Sequence, residues 1–149
     1  MRIYPDTSFL VSWIYRPDVH NAKAWVWFSR HKKEEWILSN WSRFETVNTL
    51  RNLCIRTGGP KPEAVEASRR YFRHLLQHGP FSEERVDWPE VIRDCNQISS
   101  ALAWKIPARS ADVLHVAIIE QINPDIFVSA DGDQLALAKA RGFQTASFI

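Results

Sequence analysis

Four acidic residues, Asp6, Glu45, Asp112 and Asp131, each fall where a short apolar run meets a helical pattern. That placement is what gives them chemical potential. Asp6 follows the run Arg2–Pro5, Glu45 is expected in the first turn after Glu35–Ser39, and Asp131 follows Ile126–Ser129. Asp112 opens the helical stretch "SADVLHVAIIEQ", which is otherwise apolar nearly all round from Ala111 to Ile119. Carboxylates sharing a pocket repel one another unless cations neutralise them or protons do. Hard divalent ions such as Mg²⁺ or Mn²⁺ suit oxygen ligands and keep several waters. Two such ions about 4 Å apart would clamp the attacking and leaving oxygens of a phosphodiester. A metal activates water near neutral pH, so this chemistry requires no catalytic histidine.

Each acid also has a local explanation. Ser42-Arg-Phe-Glu45 reads as an S-x-x-E capping box. Asp112 sits in a first helical turn, where the helix dipole favours an acid and Ser110 is a candidate N-cap. Asp131-Gly132-Asp133 reads as a turn, and Asp6 as a cap for a helix starting near Ser8. What these readings leave unexplained is why all four acids share one side of the fold.

The elements that would position them come from hydrophobic periodicity. Strands are expected at Arg2–Pro5, Glu35–Ser39, Arg85–Trp88, Ile126–Ser129 and Gln144–Phe148, with helical patterns between them. Gly58-Gly59-Pro60 breaks one helical run, so Trp41–Thr57 and Lys61–His78 are expected to form a helical hairpin. Val91, Cys95, Ile98 and Leu102 make an apolar stripe opened by Pro89. The final unit is a helix Gln134–Ala140 with Gly142 at its end, then the closing strand. Strands separated by helices imply crossovers, hence a parallel sheet flanked by helices on both faces, an α/β class. In such a sheet ligands bind beyond the carboxyl ends of the strands. Asp6, Glu45, Asp112 and Asp131 project to that rim; Asp125 and Glu120 fall at the opposite one, and Asp94 is mid-helix. Asp87 and Asp133 are not decided by this test.

At 149 residues, 45% hydrophobic and 24% charged, the chain is expected to form one domain with one substantial core. The formal charge of +2 permits contact with a polyanion without arguing for it. Cys54 and Cys95 lack metal spacing and read as small buried apolar residues in a reducing compartment. No apolar run is long enough for a signal peptide or a membrane span, so a cytoplasmic protein is expected.

Taken in order, Asp6-Thr7-Ser8-Phe9-Leu10, Glu45 near a helix start, Asp112-Val-Leu-His115-Val-Ala117 and Ser129-Ala-Asp131 resemble the PIN-domain family. They are most similar to its single-domain VapC-type toxins. Each motif is weak alone; the ordered set covers nearly the whole chain. The resemblance implies a three-layer sandwich over residues 1–149, and a Mg²⁺- or Mn²⁺-dependent endoribonuclease that leaves a 5′-phosphate and a 3′-hydroxyl. It matches Asp6, Glu45 and Asp112 to the family's strongest acidic positions and Asp131 to a more variable fourth. Asp6, Asp112 and Asp131 are then the metal ligands. Thr7 or Ser8 matches a hydroxyl that orients the first carboxylate, Ser129 one that supports the fourth acid, and Asp133 joins this supporting set. It also implies a homodimer silenced by a small antitoxin that brings an arginine near the acids. Pro5 departs from the pattern, standing where an aliphatic residue is usual, as does the Trp-rich segment Asn21–Trp36.

Among basic residues, Arg43, Lys105 and Arg109 are candidates for RNA phosphates. Arg69, Arg70 and Arg73 read as a solvated helix face, and His115 as a hydrogen-bonded core histidine. Most of the seven tryptophans read as core or interface anchors, with Trp41 placed at the rim. Two other functions are open: a catalytically degenerate module that binds RNA or a partner, and a hydrolase using Asp6 as phosphoryl acceptor. The second wants another Asp two residues on, where this chain has Ser8.

Overall fold

A computed structural model describes residues 1–149. Five strands form one parallel sheet: β1 (Arg2–Pro5), β2 (Glu35–Ser39), β3 (Phe81–Glu84), β4 (Ile126–Ser129) and β5 (Thr145–Ser147). Their spatial order is β3-β2-β1-β4-β5. The seven helices are α1 (Thr7–Ile14), α2 (Asn21–Arg30), α3 (Asn40–Leu53), α4 (Pro62–His78), α5 (Trp88–Leu102), α6 (Ser110–Ile122) and α7 (Gly132–Ala140). The three-layer α/β class expected from the alternation of strands and helices is the one observed. No helix is long and apolar enough to cross a membrane.

Alternation along each strand divides the core. Ile3, Trp36, Leu38 and Val128 face one layer, with Phe9, Trp13, Leu50 and Phe72 from α1, α3 and α4. Tyr4, Ile37 and Phe127 face the other, with Val91 and Ile98 of α5, Val116 and Ile119 of α6, and Leu137 of α7. The Trp-rich segment finds its place in the first layer. Phe9 stacks on Trp36 at 5.3 Å and meets Trp27 and Phe148 edge-on, and Trp13 stacks on Phe28 at 4.1 Å. Trp41 is half-buried against Phe44 and the second layer. Cys54 and Cys95 are free thiols, half-buried rather than buried.

Three local readings need correction. The third strand is Phe81–Glu84, not Arg85–Trp88. Phe81 inserts against Trp13 and Phe72, directly after the Gly79-Pro80 stop of α4, while Asp87 accepts the Glu90 N–H as N-cap of α5. The cap of α3 is Ser39, which shares a reciprocal box with Ser42, so Glu45 does no capping. Position 109 rather than Ser110 caps α6, and the Asp112 carboxylate accepts the Arg109 N–H at 2.8 Å. Gly142, at φ +92°, ends α7 as expected from its tolerance of the left-handed region.

Pro5 also has an explanation. Along β1 successive N–H groups face opposite neighbours, and the Asp6 N–H donates to Val128 O of β4 at 3.0 Å. The missing N–H of Pro5 therefore falls on the β2 side. There the β1–β2 register runs only through Arg2↔Glu35 and Ile3↔Trp36, so no ladder bond is lost.

Candidate active site

Chain order reverses between β1 and β4: from β1 the sheet grows one way through β2 to β3, and from β4 the other way to β5. The crevice at such a switch point is where open α/β sheets bind ligands. Asp6 stands on one side of it and Asp131 on the other.

Asp6 ends β1 and caps α1. Its Oδ1 accepts the Phe9 N–H at 2.9 Å and the Ser8 hydroxyl at 2.7 Å, and its Oδ2 accepts the Ser129 hydroxyl at 2.7 Å. Ser129 Oγ in turn accepts the Asp131 N–H, and Ser8 Oγ accepts the Ala130 N–H, both at 2.9 Å. These bonds tie the ends of β1 and β4 together and hold Asp6 at 4% exposure. Burial pushes the Asp6 carboxyl above the usual carboxylate range, opposed by the charge of His115 and by these hydrogen bonds.

Asp131 caps α7, its Oδ1 accepting the N–H groups of Asp133 and Gln134 at 3.0 Å. Asp112 lies in the first turn of α6 and is 6% exposed. Glu45, on α3, accepts the Thr7 hydroxyl on Oε2, and His115 Nε2 lies 2.7 Å from the same oxygen. Burial pushes the Glu45 carboxyl up, but the His115 bond and charge, with Thr7 and Arg109, outweigh it and leave it below its ordinary value. All four acids line one cavity of about 440 Å³, with Thr7 and Ser8 on its wall and Ser129 beneath Asp6.

Arg109 is the one expected basic residue that the structure brings there. Its Nη2 reaches Asp131 Oδ2 at 3.2 Å and its Nε reaches Asp112 Oδ2 at 3.4 Å, with the side chain 80% exposed. Arg43 instead pairs with Glu83 of β3 at 2.8 Å, Lys105 lies in the turn after α5, and Asp133 is exposed. None of these three lines the cavity. Arg56, Thr49 and Gln134 do, though sequence reasoning passed over them. Thr49 stands four residues after Glu45, a spacing that puts both on one helix face. Arg56 and Gln134 carry no comparable signal.

The donor set fits a hard divalent cation: four carboxylates and the Gln134 Oε1, which is buried without a hydrogen-bond partner. No three of the acidic, His or Cys side chains are gathered tightly enough to hold an ion as they stand. Arg109 bridges two of the acids in that arrangement, and its exposure leaves it free to swing away. Replacing Arg109 with Ala is therefore expected to tighten Mn²⁺ binding about two- to five-fold, the worth of an exposed ion pair. Titration calorimetry would measure this, and unchanged or weaker binding would count against competition between guanidinium and cation.

A family model described as PIN domain matches residues 3–140. This chain belongs to the PIN domain family. Solved structures agree at the level of the fold. VapC20 of Mycobacterium tuberculosis, described as a toxin that cleaves the sarcin–ricin loop, superposes with a TM-score of 0.67 at 19% identity, covering 95% of each chain. FitAcB of Neisseria gonorrhoeae gives 0.62 at 18% identity, over 96% of this chain and 95% of that one. PAE2754 of Pyrobaculum aerophilum gives 0.62 at 15% identity, over 99% and 90%. No curated protein sequence matches the chain.

Proposed function

We propose that this PIN domain, acting as one unit over residues 1–149, is a divalent-metal-dependent endoribonuclease. In this reading it is the toxin half of a toxin–antitoxin pair. The observation that carries the reading is the gathering of Asp6, Glu45, Asp112 and Asp131 around one cavity at the switch point of a PIN fold. Asp6, Asp112 and Asp131 would hold one or two Mg²⁺ or Mn²⁺ ions. A bound ion supplies charge neutralisation at the phosphate and activation of water. Glu45, ionised and held by Thr7 and His115, orients or accepts a proton from the attacking water. Ser8 and Ser129 keep the Asp6 carboxylate in place. Arg109 and Arg56 place positive charge at the cavity mouth for the RNA backbone.

The test is purified protein on total cellular RNA in Mg²⁺, Mn²⁺ or EDTA, with the cut ends mapped. Cleavage leaving 5′-phosphates, lost in EDTA, is expected; cleavage that persists in EDTA sinks the metal mechanism. The reading also brings a small antitoxin and a homodimer as partners, read out by co-purification with the product of a neighbouring short reading frame.

One observation favours a second reading. Arg109 already bridges Asp112 and Asp131, as it would in a degenerate module that binds RNA or a partner without cutting. Calorimetry separates the two, since such a module binds no Mn²⁺.

A further inference from the structure

His115 is buried among the acids, its side chain 2% exposed. Packing alone does not account for its contacts. We propose that His115, braced by Tyr4, is the positioning residue that fixes Glu45 in the cavity. This rests on the nuclease reading above.

Glu45 needs fixing, because a glutamate has several rotatable bonds and ordering them costs entropy. Its partner is rigid. His115 rides on α6, a helix packed against the sheet with Val116, Ala117, Ile118 and Ile119 buried, and its Nε2 sits 2.7 Å from Glu45 Oε2. On the other side of the ring, Nδ1 meets the Tyr4 hydroxyl at 3.3 Å, and the two rings lie edge to face with centroids 6.0 Å apart. The Tyr4 hydroxyl also meets Ser39 Oγ at 2.9 Å. Ser39 caps α3, the helix that carries Glu45. The contacts thus form a closed ring: from the start of α3 through Ser39, Tyr4 and His115, and back to α3 at Glu45.

The direction of the key bond follows from chemistry. Glu45 is the more acidic partner and gives up its proton, so the hydrogen between the two residues belongs to Nε2. Nδ1 then faces the Tyr4 hydroxyl, which can donate or accept. The Thr7 hydroxyl donates to the same Oε2. One oxygen of Glu45 is thereby committed to the protein, leaving Oε1 for whatever enters the cavity. Outer partners of this kind are worth about 10–100-fold in activity where they have been removed from metal sites.

The experiment compares His115→Leu, His115→Gln and Tyr4→Phe with wild type, and reads the imidazole nitrogens of His115 by ¹⁵N NMR. Gln places an N–H near where Nε2 stood. The expected pattern is a loss of about 10–100-fold in kcat for His115→Leu with KM changed little. Recovery to within a few-fold is expected for His115→Gln, and a smaller loss for Tyr4→Phe. Nε2 is expected to carry a proton. The proposal is overturned if folded His115→Leu cleaves as fast as wild type, if folded His115→Gln is as slow as His115→Leu, or if Nε2 is the bare nitrogen. Should wild type cleave no RNA, the nuclease reading fails, while the imidazole spectrum still decides whether the nitrogen facing Glu45 carries the proton.

Discussion

Asp6→Asn is expected to lower RNA cleavage by about 10³-fold or more while leaving the protein folded, the scale of loss when a central group of a catalytic unit is removed. Asn keeps the shape of the carboxylate. Its amide oxygen can still accept from Phe9 N–H and Ser8, and its NH₂ can donate to Ser129 Oγ, so the cap of α1 and the tie to β4 persist. What disappears is a negative charge at 4% exposure, held by hydroxyls and an N–H but by no paired cation. Burying such a charge opposes folding, so its removal leaves thermal stability unchanged or slightly higher. The two measurements together isolate charge from shape: parallel RNA digestion and thermal unfolding of both proteins. A variant that still cuts RNA at the wild-type rate would falsify the placement of Asp6 at the reacting centre. A variant that unfolds early would show that its structural bonds matter more than its charge.

The largest effect on stability is expected from Phe9→Ala, three residues away. Phe9 is fully buried and central to the aromatic layer, touching Trp36, Trp27, Trp13 and Phe148. Truncating a buried Phe costs about 3–5 kcal/mol, part in transfer free energy and part in the cavity left behind. Against a total stability of roughly 5–15 kcal/mol, that is a large fraction. For a chain of this size it lowers Tm by about 6–20 °C. Calorimetry or circular dichroism would measure it. A fall of only a degree or two would mean that the ring cluster collapses into the space, and that its packing is looser than the interlocked geometry indicates. Phe9→Leu, which retains much of the volume, is expected to recover more than half of the loss.

Legibility in the sequence followed burial. β1, β2 and β4 are short apolar runs buried on both faces, and such runs announce themselves. β3 does not: Phe81-Ser-Glu-Glu has one apolar residue, because it lies at the sheet edge and leaves Ser82 and Glu83 toward solvent. The α3 cap was ambiguous since Ser39 and Ser42 are three residues apart and either can begin a box. Asp6, Asp112 and Asp131 were legible because each is tied to the end of an element, and element ends are what periodicity locates; Glu45, in the second turn of α3, follows from the same helix start. Arg56 and Gln134 were not, since nothing local marks them; they join the cavity through the path of the chain in space. His115 was read as a satisfied core histidine, which is correct as far as it goes. Its partner Glu45 lies 70 positions away, beyond the reach of any spacing rule.

The tie between Ser129 and Asp6 closes a span of 123 residues. During synthesis the first strand leaves the ribosome long before its neighbour β4 has been made. Until then Asp6 has no Ser129 to hold its second oxygen and the crevice lacks its Asp131 wall, although α6 with Asp112 and His115 has already been made. In the nuclease reading proposed above, the unfinished chain is therefore chemically disarmed, and a product truncated before β4 is expected to cut no RNA. Competence arrives late, and all at once, when nearly the whole polypeptide is available.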